Sequence, residues 1–226
     1  MVLAVVVHGV SFAALHAAEP TPPLTDFPVA VSFMVWMGAL SFLVLLWRAH
    51  IARLVVLVAP AAFLGVFYTS LSLPETGAAT FAGSGSWPHA HVLLAGSGLS
   101  LLGLAALAGL VFLTEHRRLK TKRPAHPRLP LPSLEALDRV NAAALTVGFP
   151  LLTLGVITGA LWEQTVSGQL WGATAHETWS LIAWVVYAVV VAARFRSEQG
   201  SRQAAVSAVG GFAFLFLAVI GVELFL

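Results

Sequence analysis

The chain has 226 residues, 58% of them hydrophobic and 10% charged, with a formal net charge of +2. An ordinary soluble domain carries about a quarter charged residues, and ten acidic plus twelve basic side chains cannot solvate a 23.8 kDa surface whose mean hydropathy is +0.88. A soluble globular protein is excluded, and most of the surface must face lipid. Cysteine is absent, which removes disulfides, thiolate metal sites, iron–sulfur clusters and thioether attachment of a cofactor. Histidine and carboxylate remain as metal ligands.

A helix needs about 20 mostly apolar residues to cross the hydrocarbon. Seven stretches reach or approach that length, at about 2–18, 28–47, 52–71, 90–113, 141–161, 177–193 and 206–225. The expected fold is therefore all-α, a single integral membrane domain over residues 1–226 built as a polytopic bundle of about seven transmembrane helices. The first stretch ends at Glu19-Pro20 and Pro22-Pro23. It lacks the basic start of a secretory signal and carries His8 within its apolar run, so it is read as a retained span. Pro60 and Pro150 fall inside the third and fifth spans and are expected to kink them. In the fifth span Gly148, Leu152, Gly155 and Gly159 share one face, and Gly155 with Gly159 forms a GxxxG pair that lets another helix approach closely. Between the fourth and fifth spans, residues 114–140 form a loop. It opens with a basic run, continues through Pro124, Pro127, Pro130 and Pro132, and ends at Ser133, placed to cap a short helix through Leu134, Leu137 and Val140.

Orientation follows from the cations. Arg48 and Arg53 flank one turn-around; Arg117, Arg118, Lys120, Lys122, Arg123, Arg128 and Arg139 fill the 114–140 loop; Arg194, Arg196 and Arg202 precede the last span. All twelve lie on one side. The opposite side holds Glu19, Asp26, Glu75, Glu163 and Glu177 with no cation, so the positive-inside rule predicts a cytoplasmic N-terminus and an outer C-terminus. The basic loop is expected to meet membrane lipid headgroups rather than nucleic acid.

His50, His116 and His126 sit among the cytoplasmic arginines, whereas His16, His89, His91 and His176 map to the outer ends of spans and His8 lies inside one. A polar side chain within a span is costly and is retained by a partner or by function. His89 and His91 point in different directions on a helix, and His91 lies deeper. The outer loop, about 162–176, is tryptophan-rich: Trp162, Trp171, Trp179 and Trp184 surround Glu163, His176 and Glu177. Indoles beside imidazoles suit a flat, apolar, metal-bearing ligand. A zinc-protease helix is absent, since His176-Glu177 is followed by Ser180 where a second histidine would stand, and there is no G-x-S-x-G or phosphate loop.

From His91 onward the segments HVLLAGSGLSLLGLAALAGLVFLTEHRRLK, GFPLLTLGVITGALW, and WG followed by HETWSLIAWVVYAVVVAAR resemble the cytochrome c assembly family of membrane proteins, which includes CcsA/ResC, CcmC and the HemX- and YpjD-like members. The first three spans, with LAVVVHG around His8 and APAAFL near Pro60, are most similar to the shorter HemX/YpjD-like branch. The resemblance implies a haem-handling protein whose tryptophan-rich WWD loop holds haem beside a histidine at the position of His91. Where that loop usually reads W-D-P-K-E-x-W, this chain has ATAHETW, keeping Trp171, Gly172, Glu177 and Trp179. Haem-delivering members carry a further outer histidine after the last span, so His176 or His8 is expected to serve as second ligand here.

The reading that results is a haem-binding or haem-handling protein of the bacterial cytoplasmic (inner) membrane, acting in cytochrome c assembly or haem homeostasis without an independent catalytic activity. It takes haem b on His91 with His176 or His8, beside Trp171, Trp179 and Glu177. Its expected partners are haem, lipids, and other cytochrome c biogenesis or haem-synthesis proteins. The alternative is a regulatory or scaffolding subunit of tetrapyrrole metabolism that has lost the haem site and acts through its basic loop. A transporter is disfavoured, because few polar groups line the spans. Ligation by neutral imidazole also predicts that haem affinity falls as pH drops through the histidine range.

Overall fold

A computed structural model describes residues 1–17, 24, 26–49, 51–72, 86–122, 132–196 and 200–218. These form seven helices: α1 Val2–Ala17, α2 Phe27–Ala49, α3 Val55–Ser72, α4 Ser86–Lys120, α5 Leu134–Ser167, α6 Ala175–Arg196 and α7 Ser201–Phe216, with a 3-10 turn, Ala52–Leu54, before α3. The described residues contain no strand, and five of the helices are long and apolar enough to cross a membrane. The chain is a helical membrane bundle. The prolines at 20, 22 and 23, residues 73–85 with Glu75, residues 123–131 with Arg123, His126 and Arg128, His50, the side chain of His16 and residues 219–226 lie outside the described set.

Each apolar stretch is helical over its described residues, but α4 and α5 run on past theirs. At 35 and 34 residues they are roughly 50 Å long, against a hydrocarbon thickness of about 30 Å. The extra turns are held by caps and packing. Ser133 does cap a helix, its Oγ accepting from Ala136 N–H at 3.2 Å, and that helix continues without interruption to Ser167. Leu137 and Val140, which open it, are buried against Ile51, Leu54, Val111 and Phe112. The far end of α5 stops at Gly168, which takes the left-handed φ of 76° that glycine tolerates and donates its N–H to Gln164 O.

The α4–α5 contact is the tightest in the bundle. A Cβ on Gly98 would lie 2.5 Å from Leu152 N and 2.9 Å from Gly148 O, and one on Gly155 would lie 2.7 Å from Ala95 Cα. The two helices therefore touch backbone to backbone, in antiparallel register. Further along the same seam Asn141, buried on α5, donates from Nδ2 to Ala105 O at 2.8 Å. The other helices assemble on this pair. α2 lies along α4, with Ser100 Oγ donating to Met34 O at 2.7 Å, and α7 meets α4 where Gly109 faces Ala205 O. α1 and α3 pack on α2, whereas α6 rests on α5 and α7.

The alternating helix directions bring the C-terminal ends of α4 and α6 and the N-terminal ends of α5 and α7 to one end of the bundle, with Arg117, Arg118, Lys120, Arg139, Arg194, Arg196 and Arg202. There the mostly buried Arg194 guanidinium donates to Asp138 Oδ1 at 2.9 Å and ties α6 to α5. The opposite end carries His91, Trp162 and His176.

Gly98→Ala forces the seam apart and lowers stability by about 1–3 kcal/mol, the usual cost of overpacking, or prevents folding. Gly210→Ala, at a position whose Cβ meets nothing within 4 Å, holds or raises stability. Thermal unfolding of the two detergent-solubilised variants checks both expectations.

Candidate functional site at the histidine end of the α4–α5 seam

His91 sits in the second turn of α4, where the seam opens. Its Nδ1 lies 2.8 Å from Gly155 O. A carbonyl oxygen can only accept, so Nδ1 carries the proton and the Nε2 lone pair is left for another partner. The ring has room to lie there because Gly159 has no side chain: a Cβ at that position would come within 2.8 Å of His91 Nδ1 and 3.0 Å of Cε1. One turn along α5, Trp162 closes over the imidazole, with ring centroids 6.1 Å apart and planes tilted by 45°. The glycine face read from the sequence as packing thus also holds a histidine, through a backbone carbonyl and a missing methyl.

His176 enters from α6. It lies in the first turn of that helix, half-buried, within electrostatic range of His91. Its position is set by a capping box. Thr174 Oγ1 accepts from Glu177 N–H at 3.2 Å, and Glu177 Oε2 accepts from Thr174 N–H at 3.1 Å. Glu177 is therefore occupied in starting α6. It shares the loop with Glu163 of α5: a Cβ on Gly172 would meet Glu163 Oε1 at 2.9 Å and Glu177 Oε2 at 3.3 Å. Just before the cap, Ala173 takes φ = 55°, a left-handed conformation that costs a non-glycine residue roughly 1–2 kcal/mol.

The tryptophans divide by role. Trp171 on the loop and Trp179 on α6 each expose 42% of their surface. Trp179 meets Phe214 of α7 edge-on at 6.4 Å. Trp184 is a packing residue, stacked on Phe149 at 6.1 Å and donating from Nε1 to Thr153 Oγ1 at 3.0 Å. Below His176, on one face of α6, the Ser180 Oγ and the Tyr187 hydroxyl are buried with no hydrogen-bond partner among the described residues. The sequence placed Trp162 among the loop tryptophans and Gly155 on the glycine face without linking either to His91, and it did not single out the Ser180 and Tyr187 hydroxyls; their seven-residue spacing on one helical face is the only sequence signal for that pair.

Two expected members stand elsewhere. His89 is exposed near the start of α4. His8 lies between α1, α2 and α3, its Nε2 3.0 Å from Ser32 Oγ, in a cavity whose walls come from those three helices. The buried Val29 and Phe33 of α2 pack between that region and Val92 of α4. The structure brings His91, His176, Trp162, Glu163 and Glu177 to one end and leaves His8 apart. Among the described residues no group of three or more His, Cys, Asp or Glu side chains is arranged to hold a metal ion.

Comparison with known proteins agrees with this architecture. The cytochrome C assembly protein family matches residues 24–226. The cytochrome c biogenesis protein CcsA of Guillardia theta is 29% identical over 221 residues, which cover 89% of this chain and 73% of that protein. CcsA of Prochlorococcus marinus (strain MIT 9313) is 31% identical over 232 residues with the same two coverages. That of Thermosynechococcus vestitus is 39% identical over 90 residues, 40% of this chain and 28% of the relative. The chain belongs to the cytochrome C assembly protein family.

Glu177→Gln is expected to keep α6 intact, because glutamine also closes a capping box, whereas Glu177→Ala costs about 1 kcal/mol. Thermal unfolding, with amide exchange at residues 174–178, checks this; equal losses in both variants would show that the carboxylate charge has a role beyond the cap.

Proposed function

We propose that this member of the family binds haem b at the histidine end of its α4–α5 seam and acts in cytochrome c assembly, with the site at the outer face of a bacterial cytoplasmic membrane. The observation that carries the reading is the His91–Gly155 hydrogen bond at 2.8 Å. An imidazole that ligates a metal ordinarily donates its other N–H to a carbonyl or carboxylate, which fixes ring and tautomer. His91 is prepared in that way, with Nε2 as its remaining donor atom. A bare ion would need three or four protein ligands, which the described residues do not assemble. Haem brings four nitrogens of its own and needs one or two side chains, and His91 with His176 at the start of α6 supplies that number.

The surrounding residues fit the same ligand. Trp162 borders the imidazole, and the partly exposed Trp171 and Trp179 offer aromatic faces at the rim. Glu177 contributes by setting where α6 begins, and therefore where His176 stands. When bound, haem supplies an iron centre whose properties follow its axial ligands. This chain's part is to orient His91, present His176 and limit water around both. Similarity to the cytochrome c biogenesis protein CcsA supports assembly of cytochrome c as the process served, with other biogenesis proteins as partners. No independent catalytic step is assigned.

The purified protein, oxidised and then dithionite-reduced, is expected to show a Soret band, with near-stoichiometric haem b by pyridine haemochrome. His91→Ala loses the haem or shifts its spectrum, His176→Ala changes the axial ligation, and Gly159→Ala, which pushes a methyl against Nδ1, weakens retention. A colourless protein that takes up no added haemin would overturn the reading and favour a regulatory scaffold acting through the basic loop.

A further inference from the structure

His8 lies mid-way along α1, and its environment differs from the His91 end. α1 and α3 both pack on α2. Their outward faces, with Val6, Val7 and Val10 on α1 and Phe63, Leu64 and Phe67 on α3, are exposed and in a bilayer meet lipid. Between the two helices, with α2 as its floor, lies a cavity of about 190 Å³ lined by His8, Ser11, Phe12, Val29, Ser32 and Thr69 among others. Because α1 and α3 are the peripheral helices on this side, the cavity faces the bilayer sideways.

Size and chemistry narrow the occupant. Pockets for drug-sized ligands run from about 300 to 1,000 Å³, whereas a cavity of roughly 150 Å³ accommodates a benzene-sized molecule. This one holds a single ring and is too small for a tetrapyrrole. Its lining carries no lysine or arginine to hold a phosphate, so a phospholipid headgroup is not matched. An acyl chain would leave the polar groups unused. The His8–Ser32 pair retains a donor whichever way its shared proton lies: if Nε2–H donates to Ser32 Oγ, the serine hydroxyl hydrogen is left over, and if serine donates, Nδ1–H is. Ser11 adds a further hydroxyl at the exposed edge.

We propose that this cavity binds the head ring of a lipid-borne quinone, which enters from the bilayer, seats its ring against Phe12 and Val29, and accepts a hydrogen bond at one carbonyl from the His8–Ser32 pair. The uncharged ring enters without the cost of burying an ion, and the isoprenoid tail stays among the lipid chains. The site is separate from the His91 end and does not depend on haem being bound there.

The test uses the full chain in phospholipid nanodiscs free of quinone, labelled with a photoreactive azidoquinone and mapped by mass spectrometry, with decylubiquinone as competitor. The expected result is labelling of α1–α3 peptides that excess decylubiquinone suppresses. Ser32→Ala weakens labelling by up to about tenfold, the range of one hydrogen bond. Val66→Trp, which fills the cavity, abolishes it, and haem content stays at the wild-type level in both. Labelling elsewhere, labelling that decylubiquinone fails to suppress, or labelling equal in wild type and both variants would overturn the proposal. So would a wild-type protein that takes no label and retains phospholipid at this position instead. If Val66→Trp does not fold, Ser32→Ala alone decides, read on monodisperse protein. Loss of haem with labelling intact would count against the His91 site alone.

Discussion

The approach of α4 to α5 at backbone contact is the constraint on which the bundle rests. In lipid there is no hydrophobic force between helices, so association depends on close van der Waals packing and on hydrogen bonds between helices. Gly98, Gly148, Gly155 and Gly159 supply the first by removing side chains along one seam. Asn141 and His91 supply the second, each bonding a carbonyl of the partner helix, near opposite ends of the seam. The pair is thereby fixed in register as well as in distance. That register puts the His91 imidazole opposite Gly155 and Gly159 and not a turn away, where a side chain would displace it.

The remaining helices inherit positions from this pair, and the site inherits its geometry from them. α6 packs on α5 and α7, through the buried Ala183 and Tyr187 and through Trp184 on Phe149 and Thr153, and is also tied at its two ends. Arg194 binds Asp138 at one, while the Thr174–Glu177 box and the Trp179–Phe214 contact act at the other. Between these ends the buried hydroxyls of Ser180 and Tyr187 lack partners among the described residues.

The spans were legible because lipid imposes a single requirement, about 20 apolar residues in a helix. The helical continuations at 114–120 and 162–167 were not, and the short helix read at 134–140 proved continuous with the fifth span. They are polar or amphipathic turns beyond the apolar runs, and they are stabilised by packing of Leu137 and Val140 and by the Ser133 cap. His91 and His176 stood out in the sequence as outer-end histidines, His91 also through the family resemblance, and the glycine face stood out through its spacing. That the two observations are one, with Gly155 and Gly159 forming the seat of His91, depends on helix register and required the fold. The separation of His8 from His91 was likewise hidden, since it follows from α2 lying between α1 and α4 and not from any local pattern.

The central claim is that His91 is a pre-oriented axial ligand whose Nδ1 is fixed by Gly155. It is tested most directly by recording the spectrum of the reduced His91→Gly protein with and without added imidazole. The variant leaves the Gly155 carbonyl and the space above Gly159 intact, so the account predicts a lost or altered Soret band that free imidazole restores. A His91→Gly protein whose haem content and spectrum match the wild type without imidazole would contradict it.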